Sequence, residues 1–533
     1  MDSMNQTRFV YLVLLISIVL GLGFRFYQID ERPPWHDEVA TRVFAAGYTP
    51  DEWRSALYTG EVFDVAEVQR FQQHNPSKSV LDSIQGLATD DPQHPPLYYA
   101  LTRAWVSLFG DGVGALRALS AVASLLVLPG LFWLARELFA STRVAWTAVA
   151  LGAVSPFFVL YAQEAREYAL WSALIVLCNA SLLRALRLTE GGDAPLSRCG
   201  FAWGIYSIST TLALYTSFSS VTMILAQVLF LVIHKRGRVM SRTGVFSVTA
   251  LGVSALLFLP WALALIRHWE AFQVSMRWSR EIVIPTRSLL RILAMNTTRP
   301  VVDFWPELET APSWVAAVLT VSLIVGAMVY LVRQNQGHAR LLLTLLVVVP
   351  IGFLLLPDLL YGGIRSVSGR YMTPSWIGIE LALAYLLGAK RSRWSNPWAA
   401  VLVTTLVAGI ASCWSNARQQ AVWTMGISYS LPEVATMING STAPLVIADN
   451  ERHNPGNMMV LSNMLAPGTK MQFMTVEMQE GYRLPSAHRN IFLYSPIPPF
   501  RDQLQEGEGV RVLRRYEDLH LSLWELQWPE STP

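Results

Sequence analysis

Apolar runs of about 18 residues or more recur along this chain, and each is long enough to cross a hydrocarbon core of about 30 Å as a helix. The candidate spans are Phe9–Phe24, Gly114–Ala135, Val144–Tyr161, Ala169–Leu186, Phe201–Tyr215, Phe218–Ile233, Val245–Ile266, Ser313–Val332, Leu341–Leu356, Tyr371–Leu387 and Trp398–Cys413. The predicted class is therefore a polytopic α-helical membrane protein with about eleven spans. Composition agrees, because 52% of residues are hydrophobic and 15% charged, whereas a soluble domain carries about 25% charged residues. A net charge of +3 from 41 basic and 38 acidic residues calls for no nucleic-acid partner. The cysteines Cys178, Cys199 and Cys413 lie in or beside apolar runs, so no disulfide and no thiolate metal site is expected.

Lysine and arginine orient the spans. Residues 234–238, 390–393 and the pair Arg333/Arg340 read as inside loops. That reading puts the amino terminus in the cytoplasm of a multi-pass inner membrane protein. It puts residues 267–312, 357–370, the turn 163–167 and the tail outside. Arg25 follows the first run without a small-residue cleavage site. It predicts an uncleaved span whose arginine snorkels to the interface.

The run Leu97–Phe109 is shorter and holds Arg103. Thirteen helical residues reach about 20 Å, short of a crossing. The expectation is a juxtamembrane helix inside one long outer loop, residues 30–113. Full crossing by residues 94–110 is the alternative. Thr49-Pro50-Asp51-Glu52 has the marks of a capped helix start, and residues 65–82 read as a mobile flap. After residue 414 the composition turns soluble. Apolar stretches at 444–449, 490–494, 510–513 and 519–525, with a helix at 431–438, predict a small α/β domain over residues 415–533 beside a membrane module over residues 1–414.

The polar clusters that can do chemistry lie at the predicted outer ends of spans. Asp37 and Glu38 follow the first span. A carboxylate fixed there can act as general base toward a hydroxyl or amine, and equally Asp37 can cap a helix and Glu38 can serve its dipole. His94 precedes two prolines and suits a hydrogen bond to phosphate or sugar, with Asp91 and Gln93 as weaker candidates. Arg166, between Glu164 and Glu167 and near Tyr168, is costly to bury unless it faces a functional cavity. Arg365 and Arg370, the latter beside Tyr371, match phosphate oxygens in a bidentate way. Each of these arginines also suits an interfacial anchor. No metal site is predicted, although Asp37, Glu38 and His94 are donors a divalent cation would accept.

In this order, Asp37-Glu38, His94-Pro95-Pro96-Leu97-Tyr98-Tyr99, Gln163-Glu164-Ala165-Arg166-Glu167-Tyr168 and Arg370-Tyr371-Met372-Thr373-Pro374 resemble the GT-C superfamily of membrane glycosyltransferases. The likeness is to its family 39, protein O-mannosyltransferase-like group and to the aminoarabinose transferase of lipid A. It covers residues 8–390. It implies a transferase that moves a sugar from a polyprenyl-phosphate donor to an envelope acceptor at the outer face, with no required cofactor. Asp37 maps to the family's base and Glu38 to its acceptor-side acid. His94, Arg166, Tyr168, Arg365, Arg370 and Tyr371 remain for the donor. Histidine replaces a lysine of the aminoarabinose enzyme at position 94, which leaves the donor phosphate to Arg166 and Arg370. A lipid-linked sugar transporter or flippase, or a non-catalytic scaffold, is the competing reading. The absence of repeat halves and of Gly/Pro-broken span pairs counts against transport.

Overall fold

Proline and arginine decide how the membrane helices begin and end. The computed structural model describes residues 3–235, 240–303, 311–335, 337–389 and 397–528. The orienting basic residues at 236–238 and 390–393 therefore lie outside the described residues. Seven described helices are long and apolar enough to cross a membrane: Val113–Phe139, Tyr168–Glu190, Arg242–Arg267, Ser313–Gln334, His338–Tyr361, Gly369–Ala389 and Pro397–Ala417. A bent pair, Thr142–Ala153 and Pro156–Ala162, adds an eighth if it forms one span. The protein is thus a multi-pass membrane protein. The runs Arg8–Phe24 and Ser220–His234 are helical but shorter, and Phe201–Tyr215 lies within the helix Leu196–Thr216.

The chain forms two compact units, one of residues 1–29, 87–98 and 117–418, the other of residues 30–86, 99–116 and 419–533. Most of the predicted outer loop thus groups with the tail.

In the helical unit, the bent pair turns by 56° at Val154-Ser155. Pro156 has no N–H to offer the carbonyl of Gly152, and the Phe157 N–H goes to the Arg299 carbonyl at 3.2 Å, not to Ala153. Both orphaned carbonyls are taken by Arg25. Its Nη1 donates to Ala153 at 2.7 Å and to Gly21 at 2.6 Å, and its Nη2 donates to Gly152 at 3.0 Å. The expectation that Arg25 snorkels to the interface is therefore corrected: its side chain is fully buried. Here backbone carbonyls left bare by a proline replace the water it would seek. A Cβ on Gly21 would sit 2.2 Å from the Ala153 oxygen, so glycine is required for the close approach. The Cys413 thiol takes the next carbonyl, Val154, at 3.4 Å. All three cysteines are free and buried. Elsewhere buried polar side chains satisfy one another, as where Tyr206 donates to Gln227 and Gln227 to Asn179.

The second unit is an α/β layer. Its strands are β1 Val62–Asp64, β2 Leu445–Asp449, β3 Lys470–Met474, β4 Ile491–Tyr494, β5 Arg511–Glu517 and β6 Ser522–Gln527, in the order β1-β3-β2-β4-β6-β5. β2 pairs in parallel with β3 and β4, and the outer pairings are antiparallel. Alternation divides the strand residues between two faces. Val446, Ala448, Met471, Phe473 and Phe492 pack with helices His36–Ala46, Pro50–Leu57, Leu431–Asn439 and Asn454–Leu461. Leu445, Ile447, Ile491 and Leu493 pack with Phe500 and Leu504 of the helix Pro498–Gly507. Of the flap expected over residues 65–82, residues 65–72 are instead packed. Val65, Val68 and Phe71 are buried in the first of these cores, because β1 joins the sheet and carries the following turn with it. The capped start at Thr49 forms as read, with Glu52 N–H on Thr49 Oγ1 at 3.2 Å and Thr49 N–H on Glu52 Oε2 at 2.8 Å. Leu97–Phe109 is a helix of 13 residues.

Candidate active site

In the helical unit Arg166 and Arg370 converge on Tyr168, and His94 joins them through Arg166. Gln163 ends the short helix Pro156–Ala162 and donates to the carbonyls of Phe24 and Tyr27 at 2.7 and 2.8 Å, which pins the turn 163–167. Arg166 follows on that turn, 2% exposed. Its carbonyl accepts from Ser120 Oγ at 3.1 Å, and Ser120 in turn meets the Tyr98 hydroxyl at 2.6 Å. The guanidinium reaches Glu167 at 3.3 Å and donates from Nη2 to His94 Nε2 at 3.0 Å.

That last bond fixes the histidine. Arginine can only donate, so Nε2 carries a lone pair and Nδ1 carries the proton, which it gives to Asp91 Oδ2 at 2.7 Å. His94 in this arrangement is a ring held between a carboxylate and a cation. The Trp261 indole donates to the Pro92 carbonyl at 3.2 Å and holds the same segment.

Arg370 lies in the short turn Gly369–Met372. The Trp376 indole fixes this turn by donating to the Gly369 carbonyl at 2.7 Å. The Arg370 guanidinium lies 5.6 Å from the Tyr168 ring centroid and 5.4 Å from that of Tyr371. Arg166 lies 5.9 Å from the same Tyr168 ring. Two cations thus share one aromatic partner within cation–π range. The Tyr168 side chain is fully buried, and its hydroxyl has no hydrogen-bond partner among the described residues. An unmet buried hydroxyl costs about 1–3 kcal/mol, a cost an incoming acceptor group would offset.

Arg365 is engaged otherwise. Its Nη1 pairs with Asp358 Oδ1 at 2.8 Å, while Asp358 Oδ2 accepts from the N–H and hydroxyl of Ser366. Asp358 is a site neighbour that sequence reasoning missed; a lone aspartate closing an apolar run was its signal. The buried set of Arg299, Asn296 and Asp303 was missed as well. Arg299 donates to Asn296, and Asn296 donates to the Val367 carbonyl at 2.8 Å, which ties residues 296–299 to the 365–370 turn.

Asp37 and Glu38 belong to the other unit. The helix begins at His36 with Trp35 as cap, so Asp37 is not the N-cap. It lies in the first turn, half-buried. Glu38 is buried, and its Oε2 accepts the Trp35 N–H at 3.4 Å, the reciprocal half of a capping box. The tail supplies the support for this helix start. Ser428 Oγ accepts the His36 N–H at 3.2 Å and donates to Asn457 Oδ1 at 3.0 Å, while Asn457 Nδ2 donates to the Tyr494 hydroxyl at 3.0 Å. A Cβ on Gly456 would lie 1.9 Å from the His36 ring, so a side chain there and this ring position exclude each other.

The comparisons with known proteins follow this geometry. Residues 93–263 match the family model for dolichyl-phosphate-mannose-protein mannosyltransferase, a stretch that holds His94, Arg166 and Tyr168. No curated protein sequence matches the chain significantly. ArnT from Cupriavidus metallidurans bound to undecaprenyl phosphate superposes with TM-score 0.56 at 12% identity, covering 97% of this chain and 98% of ArnT. The fold is ArnT-like. The apo state of the same protein gives TM-score 0.56 at 13% identity, with 98% of each chain covered. An oligosaccharyltransferase from Archaeoglobus fulgidus tethered to an acceptor peptide has TM-score 0.49 at 14% identity, covering 88% of this chain and 64% of that one. The resemblance read from the sequence is borne out by the family model over residues 93–263 and, for the fold, by ArnT.

Proposed function

We propose that the protein transfers a sugar from a polyprenyl-phosphate donor to an acceptor in the cell envelope, at the outer face of the cytoplasmic membrane. The observation that carries this reading is the pair of guanidiniums, Arg166 and Arg370, within cation–π range of one buried tyrosine whose hydroxyl has no partner among the described residues. Such a cluster suits a phosphate that gains charge as the glycosidic bond breaks. The ArnT fold adds support, because the related structure holds undecaprenyl phosphate. Nucleotide sugars are not available outside the membrane, so a lipid must carry the activated sugar.

In this reading the leaving phosphate is received by Arg166, Arg370 and the Tyr168 hydroxyl. Tyr371 backs Arg370, and His94 with Asp91 sets the angle of Arg166. Arg365, committed to Asp358, shapes the turn that bears Arg370. Asp37 removes the acceptor proton as the oxygen or nitrogen attacks the anomeric carbon, with inversion, and Glu38 holds the helix start beneath it. The chemistry needs no cofactor. The reading includes about eleven spans, a cytoplasmic amino terminus and an outer tail.

The test is release of polyprenyl phosphate in proteoliposomes supplied with a polyprenyl-phosphate sugar and an envelope extract. Asp37→Asn should lower release by about 10²–10⁴-fold with an unchanged melting temperature. Wild-type turnover by that variant would remove Asp37 from the mechanism. Absence of any release by the wild-type protein with every donor tried would remove the transferase reading itself.

A further inference from the structure

Three helix ends carry metal-binding side chains to one place in the helical unit, apart from the residues assigned above. Glu190 ends the helix Tyr168–Glu190, His234 ends Ser220–His234, and His338 begins His338–Tyr361. Their ligand atoms all lie within 4.8 Å of one another. His234 Nε2 is 3.1 Å from Glu190 Oε1. The two imidazoles meet edge to face at 4.2 Å, and Phe230 stacks on His234 and limits its rotation.

We propose that Glu190, His234 and His338 form a binding site for a divalent cation of the zinc class, which clips the three helix ends together. Two imidazoles and one carboxylate are a donor set that zinc accepts with water as the fourth ligand. Bonds of about 2.0–2.1 Å in a tetrahedron place donor atoms about 3.3 Å apart. The His234–Glu190 pair already has that spacing. No separation has to shrink by more than about 1.5 Å, a movement within the reach of side-chain rotation.

Lys235 is the built-in competitor. Its Nζ sits 2.6 Å from the same Glu190 oxygen, where it stands in for a metal charge. A cation must displace it, so the site is weakened by its own neighbour and should strengthen when that ammonium is removed. Sequence spacing hides the set, because its members lie on three helices.

The experiment uses the full chain, free of any histidine tag, in detergent. Cobalt(II) is the probe, because tetrahedral coordination gives it strong visible absorption. The expected result is one equivalent bound with tetrahedral bands and displaced by Zn²⁺, and a melting temperature raised by Zn²⁺. His234→Ala and His338→Ala should each weaken binding by about tenfold or more, and Lys235→Met should tighten it by about tenfold. Lys235→Met keeps all three ligands, so it tests the site even if a histidine variant folds poorly. The proposal fails if neither wild type nor Lys235→Met shows tetrahedral bands, or if binding survives both histidine substitutions unchanged. It stands or falls independently of the transferase reading.

Discussion

The two units hold their candidate chemistry by different means. In the helical unit the basic residues have partners close in the chain as well as remote ones. His94 is set by Asp91, three residues away, and Arg166 is paired with its neighbour Glu167. In the α/β unit the acidic pair is wired remotely, since the helix start at His36 is held by Ser428, which lies 392 residues further on, and by the open face of Gly456. A partner close in the chain survives changes elsewhere in it. Remote wiring makes a distant glycine as consequential as a site residue.

The largest effect expected from that contrast is at Gly456. Gly456→Ala forces the His36 ring aside, and a displacement of about 1 Å near a reacting group costs on the order of 10²-fold in rate. Turnover in proteoliposomes should fall by that amount while donor KM stays the same. A variant with normal turnover would break the link between tail and acidic pair.

Arg365→Ala is the counterpart in the helical unit. It strips the buried Asp358 of its cation and should cost about 1–2 kcal/mol of stability, the pair being partly exposed, read as a lower melting temperature. Donor KM should move by less than about threefold, under 1 kcal/mol. A larger rise would return Arg365 to the donor site.

Tyr168→Phe removes a hydroxyl that has no partner among the described residues, so stability should hold or rise. Donor KM should increase by about fivefold, near 1 kcal/mol for one lost hydrogen bond. Unchanged KM would detach that hydroxyl from the donor.

The smallest effect is a pH dependence in the α/β unit. Burial, then His36, His520 and Arg452, push the His453 pKa below the ordinary value near 6.5. The unfolded chain therefore binds this proton first, and the stability held above pH 6.5 is lost as pH falls below it. The melting temperature should decline by on the order of 2 °C between pH 7 and 5, and His453→Gln should flatten that slope. An unaltered slope would place the titration elsewhere.

What the sequence made legible follows the reach of each signal. Spans, the Thr49 capping box and the strands at 445–449 and 491–494 are written in contiguous residues, and periodicity reads them. β3 carries Gln472 at a buried position, where Tyr482 and the Gly60 carbonyl satisfy it, so its pattern did not announce a strand. β1 gains its meaning only from β3, some 400 residues on. The convergence of His94, Arg166 and Arg370 was foreseen as one side of the membrane through charge bias. Tyr168 was named for the donor, but its ring as the link between the two arginines was not read, because a cation–π partner leaves no periodic trace. Asp358 and Gly456 act through single contacts with remote residues, which spacing does not encode.

Arg25 adds a constraint on timing. The Ala153 carbonyl it holds lies 128 residues downstream. At about 5–20 residues per second, synthesis delivers that carbonyl about 6–26 s after the arginine. Through that interval the guanidinium has the Gly21 carbonyl of its own helix, together with water or lipid headgroups. The contacts that bury Arg25 therefore form only once the broken pair has been made.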